Sequence, residues 1–105
     1  MPKRKLDPLP AAAFQILLAL AERDLHGYAI MRQVEEQTGG KARLGPGTLY
    51  GAIARLEQQG LIKPLEPEER RQPYKITAAG LRVLRAKLTT LHQFSKAGLK
   101  RLEAL

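Results

Sequence analysis

Few side chains in this chain could do covalent or metal chemistry. Its 105 residues include two histidines, His26 and His92, and no cysteine. Neither histidine has a ligand-spaced partner, and there is no paired-carboxylate motif or glycine-rich phosphate loop. The residues therefore point away from an enzyme, a metal centre or a bound cofactor. They are instead rich in cations, with 18 Lys and Arg against 10 Asp and Glu and a formal charge of +8. On so small a body this makes a positive field that attracts polyanions, either nucleic acid or an acidic membrane surface; plain solubility is the alternative.

The cations and hydroxyls suited to nucleic acid fall in three places. Thr48, Tyr50 and Arg55 lie together in the middle of the chain. A phenol can donate to a phosphate, and a guanidinium can reach a phosphate or a guanine edge; the alternative for Tyr50 is a structural, buried ring. Lys41 and Arg43 lie just before them, where a turn would meet the backbone of a duplex. Arg70 and Arg71 lie in a polar stretch of the kind that enters a narrow minor groove or clasps its phosphates, with Lys63 and Lys75 on either side. Glu66, Glu68 and Glu69 offset that stretch, so ordinary solvated charge is its alternative reading. Lys3, Arg4 and Lys5 form a basic arm that serves equally well as solubilising charge.

The elements that must position these groups follow from periodicity. After Pro8 and Pro10, Phe14, Leu17, Leu18 and Ala21 recur at helical spacing, and this first helix stops near Arg23. Asp24 to Gly27 reads as a short connection. Tyr28, Ile30, Met31 and Val34 give a second helix, ended by Thr38-Gly39-Gly40. Pro46-Gly47-Thr48 opens a third, in which Leu49, Ile53 and Leu56 bury one side and Gly60 closes it. Three short helices with Gly-marked joints are the ingredients of a helix-turn-helix. Gly51 and Ala54 leave its outer face smooth, which implies sparse base readout and a contribution from DNA shape.

Leu61–Leu65 and Tyr74–Thr77 read as the two strands of a hairpin with a charged tip, a wing. Pro64 and Pro73 imply short strands with exposed edges. Thr77 then caps a last long helix in which Leu81, Leu84, Leu88 and Leu91 follow coiled-coil spacing. The same register continues through Ser95 and Gly98 to Leu102 and Leu105, so the helix is expected to bend or fray near Gly98. From residue 79 onward six cations face Glu103 alone, and most of the net charge lies outside the helix-turn-helix. These cations flank the leucine seam. The seam packs either on the first helix or against a second copy, and its length favours the second copy.

The fold class is thus mainly α with a small β-hairpin, a winged helix-turn-helix plus a long C-terminal dimerisation helix. Residues 1–78 form the winged helix-turn-helix region and 79–105 the dimerisation helix of one structural domain. A twofold dimer matches a palindromic operator. No apolar run suits a signal peptide or a bilayer span, and the lack of cysteine is compatible with a reducing cytoplasm. A protein-interaction module is the rival use of the same fold.

The run Gly47-Thr48-Leu49-Tyr50, followed by Ile53, Leu56-Glu57 and Gly60-Leu61-Ile62, resembles the recognition helix of PadR-like regulators. His26-Gly27-Tyr28 and Tyr74-Lys75-Ile76-Thr77 with Gly80 extend the resemblance over residues 9 to about 91. It departs at Gly51, where Pro is common, at Ala54, where Lys or a polar residue is, and at Pro73, where an aromatic is frequent. The resemblance implies a cytoplasmic, bacterial, dimeric DNA-binding regulator of the family's short branch, usually a repressor. It also implies, for some members, an aromatic small-molecule effector between the dimer halves. Phe14, His92 and Phe94 are the candidates for such a pocket, with core packing as their other reading.

Overall fold

In the computed structural model, which describes residues 9–105, four helices surround a small sheet. Helix α1 spans Ala11–Glu22, strand β1 Leu25–His26, helix α2 Gly27–Gln37 and helix α3 Pro46–Gln58; strands β2 (Ile62–Pro64) and β3 (Pro73–Ile76) precede helix α4, Ala78–Glu103. Pro8 and the basic arm lie outside the described residues. The helices expected from periodicity are present, and α1 ends, as expected, with Arg23 as its C-cap.

The joints have local causes. Gly39 and Gly40 take φ of 64° and 82°, and the Gly40 N–H donates to the Glu35 carbonyl at 2.8 Å, closing α2 with a left-handed cap. The Thr38 hydroxyl accepts from the Ala42 N–H at 3.0 Å, which folds the chain back toward α3. Pro46 occupies the first turn of α3, where its missing N–H is harmless. Gly60, at φ 76°, ends α3, with the Leu61 N–H bonded to the Leu56 carbonyl at 2.9 Å.

Leu25–His26, expected as plain connection, is a third strand. The sheet order is β1-β3-β2, all antiparallel, with Leu25 opposite Tyr74 and Lys63 opposite Lys75. The expectation that both hairpin strands are edges is therefore corrected: β3 is central. Pro73 is tolerated there because it is the strand's first residue, and Pro64 sits on the edge strand.

One core joins these layers. Ile16, Leu17 and Leu20 of α1 meet Ile30 and Val34 of α2, Leu49, Ile53 and Leu56 of α3, and Ile62 and Ile76 of the sheet. Leu84 belongs to this core at 4% exposure. That corrects its assignment to an intermolecular seam: the first turns of α4 pack on the chain's own body, and Leu84 points into it. Thr77 anchors this junction. Its hydroxyl donates to the Gly60 carbonyl at 2.7 Å and accepts from the Gly80 N–H at 3.1 Å. Gly80 is needed because a Cβ there would collide with the Leu61 carbonyl oxygen and come within 2.7 Å of Ile76 Cγ1.

Helix α4 runs unbroken past Gly98. At 1.5 Å per residue its 26 residues reach about 39 Å, within a molecule whose longest dimension is 56 Å. From Leu88 to its end every residue of α4 is exposed. A straight helix drifts from a strict heptad by about 20° per repeat. The apolar stripe therefore passes from Leu88, Leu91 and Ser95 to Leu99 and Leu102, and Gly98 falls to one side.

Candidate nucleic-acid interface

Helix α3 buries Leu49, Ala52, Ile53 and Leu56 and turns Gly47, Thr48 and Tyr50 outward at its N-terminal end. Thr48 is exposed, as the sequence suggested. Arg55 is exposed and leans back along the helix, as long helical side chains do: its Nη1 lies 3.9 Å from where a Cβ on Gly51 would be. Apart from its neighbours and the helix backbone nothing else stands within 4 Å of that position, so Gly51 leaves the outer face of α3 open for the Arg55 guanidinium.

Tyr50 is half exposed, at 50%. Its ring lies across the start of α2, where a Cβ on Gly27 would meet the phenol, with Cε1 and Cζ each 2.9 Å away. Tyr50 is therefore not a buried core ring: the hydroxyl end of its ring packs over Gly27 while half of the residue stays exposed. His26 fixes the helix start beneath it, its Nδ1 accepting from the Ala29 N–H at 3.4 Å.

The wing is tighter than a polar loop. Glu68 and Arg71 pair by two backbone hydrogen bonds of 2.9 and 2.8 Å, leaving Glu69 and Arg70 alone at the tip. Both have positive φ, 51° and 92°, the signature of a type I′ hairpin turn, for which Asn-Gly is the preferred pair. At the wing's base the Gln72 side-chain amide donates to the carbonyls of Leu65 and Pro73 at 2.8 and 2.9 Å, clamping the two strands.

Between the wing, α3 and the start of α2 lies an open cleft of about 380 Å³, lined by His26, Gly27, Tyr28, Tyr50, Arg70, Arg71, Gln72 and Tyr74. The chain has three tyrosines, and all three meet here. None of their hydroxyls, and neither arginine, has a hydrogen-bond or ion-pair partner among the described residues. No carboxylate lines the cleft. Burial first, then the charge of Glu57 and the neighbouring Tyr50, raises the Tyr74 pKa from its ordinary 10.0, so its phenol is held in the protonated, donating form. The other side of the wing is different: Asp24, Glu66 and Glu68 line a separate hollow.

Of the residues expected to contact nucleic acid, the structure thus brings Tyr50, Arg70 and Arg71 together. Lys41 and Arg43 stand apart, on the turn before α3, and the Arg43 Nε is 3.1 Å from a Glu35 carboxylate oxygen. Lys75 is paired across the sheet with Asp24 at 3.8 Å. Tyr28 and Tyr74 were missed as cleft residues, although His26-Gly27-Tyr28 stood out in the sequence. Their signal was the presence of all three phenols beside turns, but only β1, unseen as a strand, brings Tyr28 next to the wing. Among the described residues no cluster of His, Cys, Asp or Glu is arranged to hold a metal ion, and no helix is long and apolar enough to cross a membrane.

Three helices, a tight hairpin wing and an exposed third helix define the chain as a winged helix-turn-helix protein. The profile of the transcriptional regulator PadR-like family matches residues 16–86, and the chain belongs to that family. Its fold is similar to a PadR family transcription regulator from Clostridium difficile (TM-score 0.77, 28% identity, 89% of this chain and 99% of that one). A transcriptional regulator from Clostridium thermocellum is also similar (TM-score 0.73, 34% identity, 84% and 89% of the two chains). The PadR of Bacillus subtilis, solved with operator DNA, shares the fold at 22% identity and TM-score 0.68, over 75% of this chain and 47% of that one. In sequence, the chain is 44% identical over 84 residues to an uncharacterized 37.1 kDa protein of transposon TN4556 from Streptomyces fradiae. That match covers 80% of this chain and 24% of the relative, so the chain spans about a quarter of that protein's length.

Proposed function

We propose that the chain is a DNA-binding transcriptional repressor that grips a palindromic operator as a homodimer, with α3 in the major groove and the wing at the adjacent minor groove. The observation that supports this most directly is the convergence of unpaired arginines and phenols on one side of the wing, next to the exposed end of α3, with no carboxylate among them. Thr48 and Arg55 then face base edges or phosphates, while Lys41, Arg43 and Lys75 supply outlying phosphate contacts after exchanging their carboxylate partners for the duplex. Dimerisation rests on the exposed stripe of α4. Leu81, Leu88 and Leu91 are each about 40% exposed and Leu99 and Leu102 about 60%, more apolar surface on one helix than a solitary chain usually leaves wet.

Pairing of α4 would also place His92 and Phe94 in the groove between the halves, where an aromatic effector would sit. Phe94 is 69% exposed in the single chain. Phe14 is half buried against the core and contributes packing there. The reading is tested by selecting bound duplexes from a random pool with purified protein. The expected product is an inverted repeat whose half-sites lie about one helical turn, 34–36 Å, apart. Affinity for it should fall steeply with salt, with a log–log slope of about −0.9 per phosphate contact. A pool that yields no enriched sequence, together with tight capture of a protein partner, would mean that the fold serves protein interaction instead.

A further inference from the structure

Elementary duplex geometry constrains what crosses the tyrosine-lined cleft. A major groove and the minor groove beside it are separated by one sugar-phosphate strand. If α3 occupies the first and the wing tip meets the second, as proposed above, that strand must pass over whatever lies between them. Here that is the cleft of Tyr28, Tyr50, Arg71 and Tyr74. We infer that this cleft is the seat of a single backbone phosphodiester in each half-site, held mainly by the hydroxyls of Tyr28 and Tyr50 and the guanidinium of Arg71.

Three features fit this ligand. The unpaired tyrosine hydroxyls and the Arg71 guanidinium converging on the cleft can all donate, and a phosphodiester offers only acceptors. No carboxylate competes inside, whereas the hollow across the wing, with Asp24, Glu66 and Glu68, repels a strand and leaves it one side to lie on. At about 380 Å³ the cleft is larger than a lone phosphate needs and admits a phosphodiester with its flanking sugars. Gln72 does not bind the strand, because its amide N–H groups are taken by the Leu65 and Pro73 carbonyls; it is a positioning residue that fixes where Arg71 stands.

The seat is tested on the duplex selected as above, with single uncharged methylphosphonate linkages walked along the strand between the two grooves. One linkage per half-site should lower affinity about ten- to hundredfold when neutralised, the range for hydrogen bonds to a charged group. Tyr28→Phe and Arg71→Gln should each weaken binding to the unmodified duplex and add little once that linkage is neutral. Tyr28 is 60% exposed, so Tyr28→Phe should melt as the parent does. The inference is overturned if no linkage stands out, or if the sensitive linkage stays equally sensitive in both variants. If the selection enriches no duplex, the DNA-binding reading itself fails. A perturbation of the Tyr28 ring resonances by inorganic phosphate at constant ionic strength would then mark a small-anion site and overturn the strand seat as well.

Discussion

Replacing Glu69 by Asn and Arg70 by Gly at once separates the stability of the wing from its use. Both residues sit at positive φ, 51° and 92°, where a side chain costs on the order of 1 kcal/mol or somewhat more per residue. Asn tolerates that region better and Gly carries no penalty there, although Gly returns about 0.5–1 kcal/mol through the entropy of the unfolded chain. The expected net gain is about 1 kcal/mol, a rise in melting midpoint of about 4–8 °C for a domain of this size. The pair of changes leaves net charge unaltered, so any loss of DNA binding belongs to the Arg70 contact and not to bulk attraction. With one Arg70 contact per half of the proposed dimer, two contacts are lost and the slope of log K against log salt should flatten by about 1.8. Glu69→Asn alone, which removes a carboxylate and keeps Arg70, should both stabilise the fold and tighten binding. A double variant that melts no higher than the parent refutes the account of strain, and an unchanged salt slope refutes the contact.

Gly80→Ala should destabilise the fold by about 1–3 kcal/mol, because the new methyl meets the Leu61 backbone carbonyl, which cannot step aside; a thermal melt equal to the parent's would contradict the packing described. Leu88→Lys with Leu91→Lys should leave the single chain folded, since both side chains are exposed in it, yet yield a monomer by sedimentation at micromolar concentration, where the proposed pairing of α4 has the parent sediment as a dimer. Tyr74→Phe should remove a tyrosinate absorbance step that lies above pH 10. The folded state holds that proton more tightly than the unfolded chain does, so its contribution to stability is complete below pH 10 and is lost as pH rises through the raised pKa.

The elements that sequence periodicity revealed are those with a repeating apolar side: α1 and α3 each bury four or more residues at helical spacing and α2 buries Ile30 and Val34 beside Met31, while α4 shows its leucine repeat although it buries only Leu84 of it. Strand β1 has two residues, too few for any period, and it exists only because β3 offers it a partner 49 residues away. With β1 unseen, nothing tied Tyr28 to the wing, and the cleft stayed hidden although Tyr50, Arg70 and Arg71 had each been singled out. Leu84 shows the opposite failure. Its spacing from Leu81 and Leu88 is ideal for a seam, but spacing cannot say whether a face meets its own body or another copy. The tight turn between Glu68 and Arg71 was obscured by composition, because Glu-Arg is an unusual occupant of a turn that favours Asn-Gly.

That unusual occupancy bears on how the charge is divided. Between residues 9 and 77 nine cations face eight carboxylates, so the region holding α3 and the wing is nearly neutral, while α4 holds six cations against one. Bulk attraction therefore cannot carry the anion binding proposed for the wing side of α3; arrangement must. Several carboxylates of this region are occupied or lie outside the cleft: Asp24 on Lys75, Glu35 on Arg43, Glu66 and Glu68 in the separate hollow, while Glu57 stays close enough to Tyr74 to raise its pKa. The cleft lining itself holds no carboxylate, and holding Arg70 at the tip costs the fold a strained residue. A nearly neutral head also makes a poor non-specific binder, since attraction to any duplex scales with the phosphates neutralised. In the proposed reading its affinity must come from the few contacts that its geometry aligns, and those are the contacts that a particular shape of DNA can satisfy and another cannot.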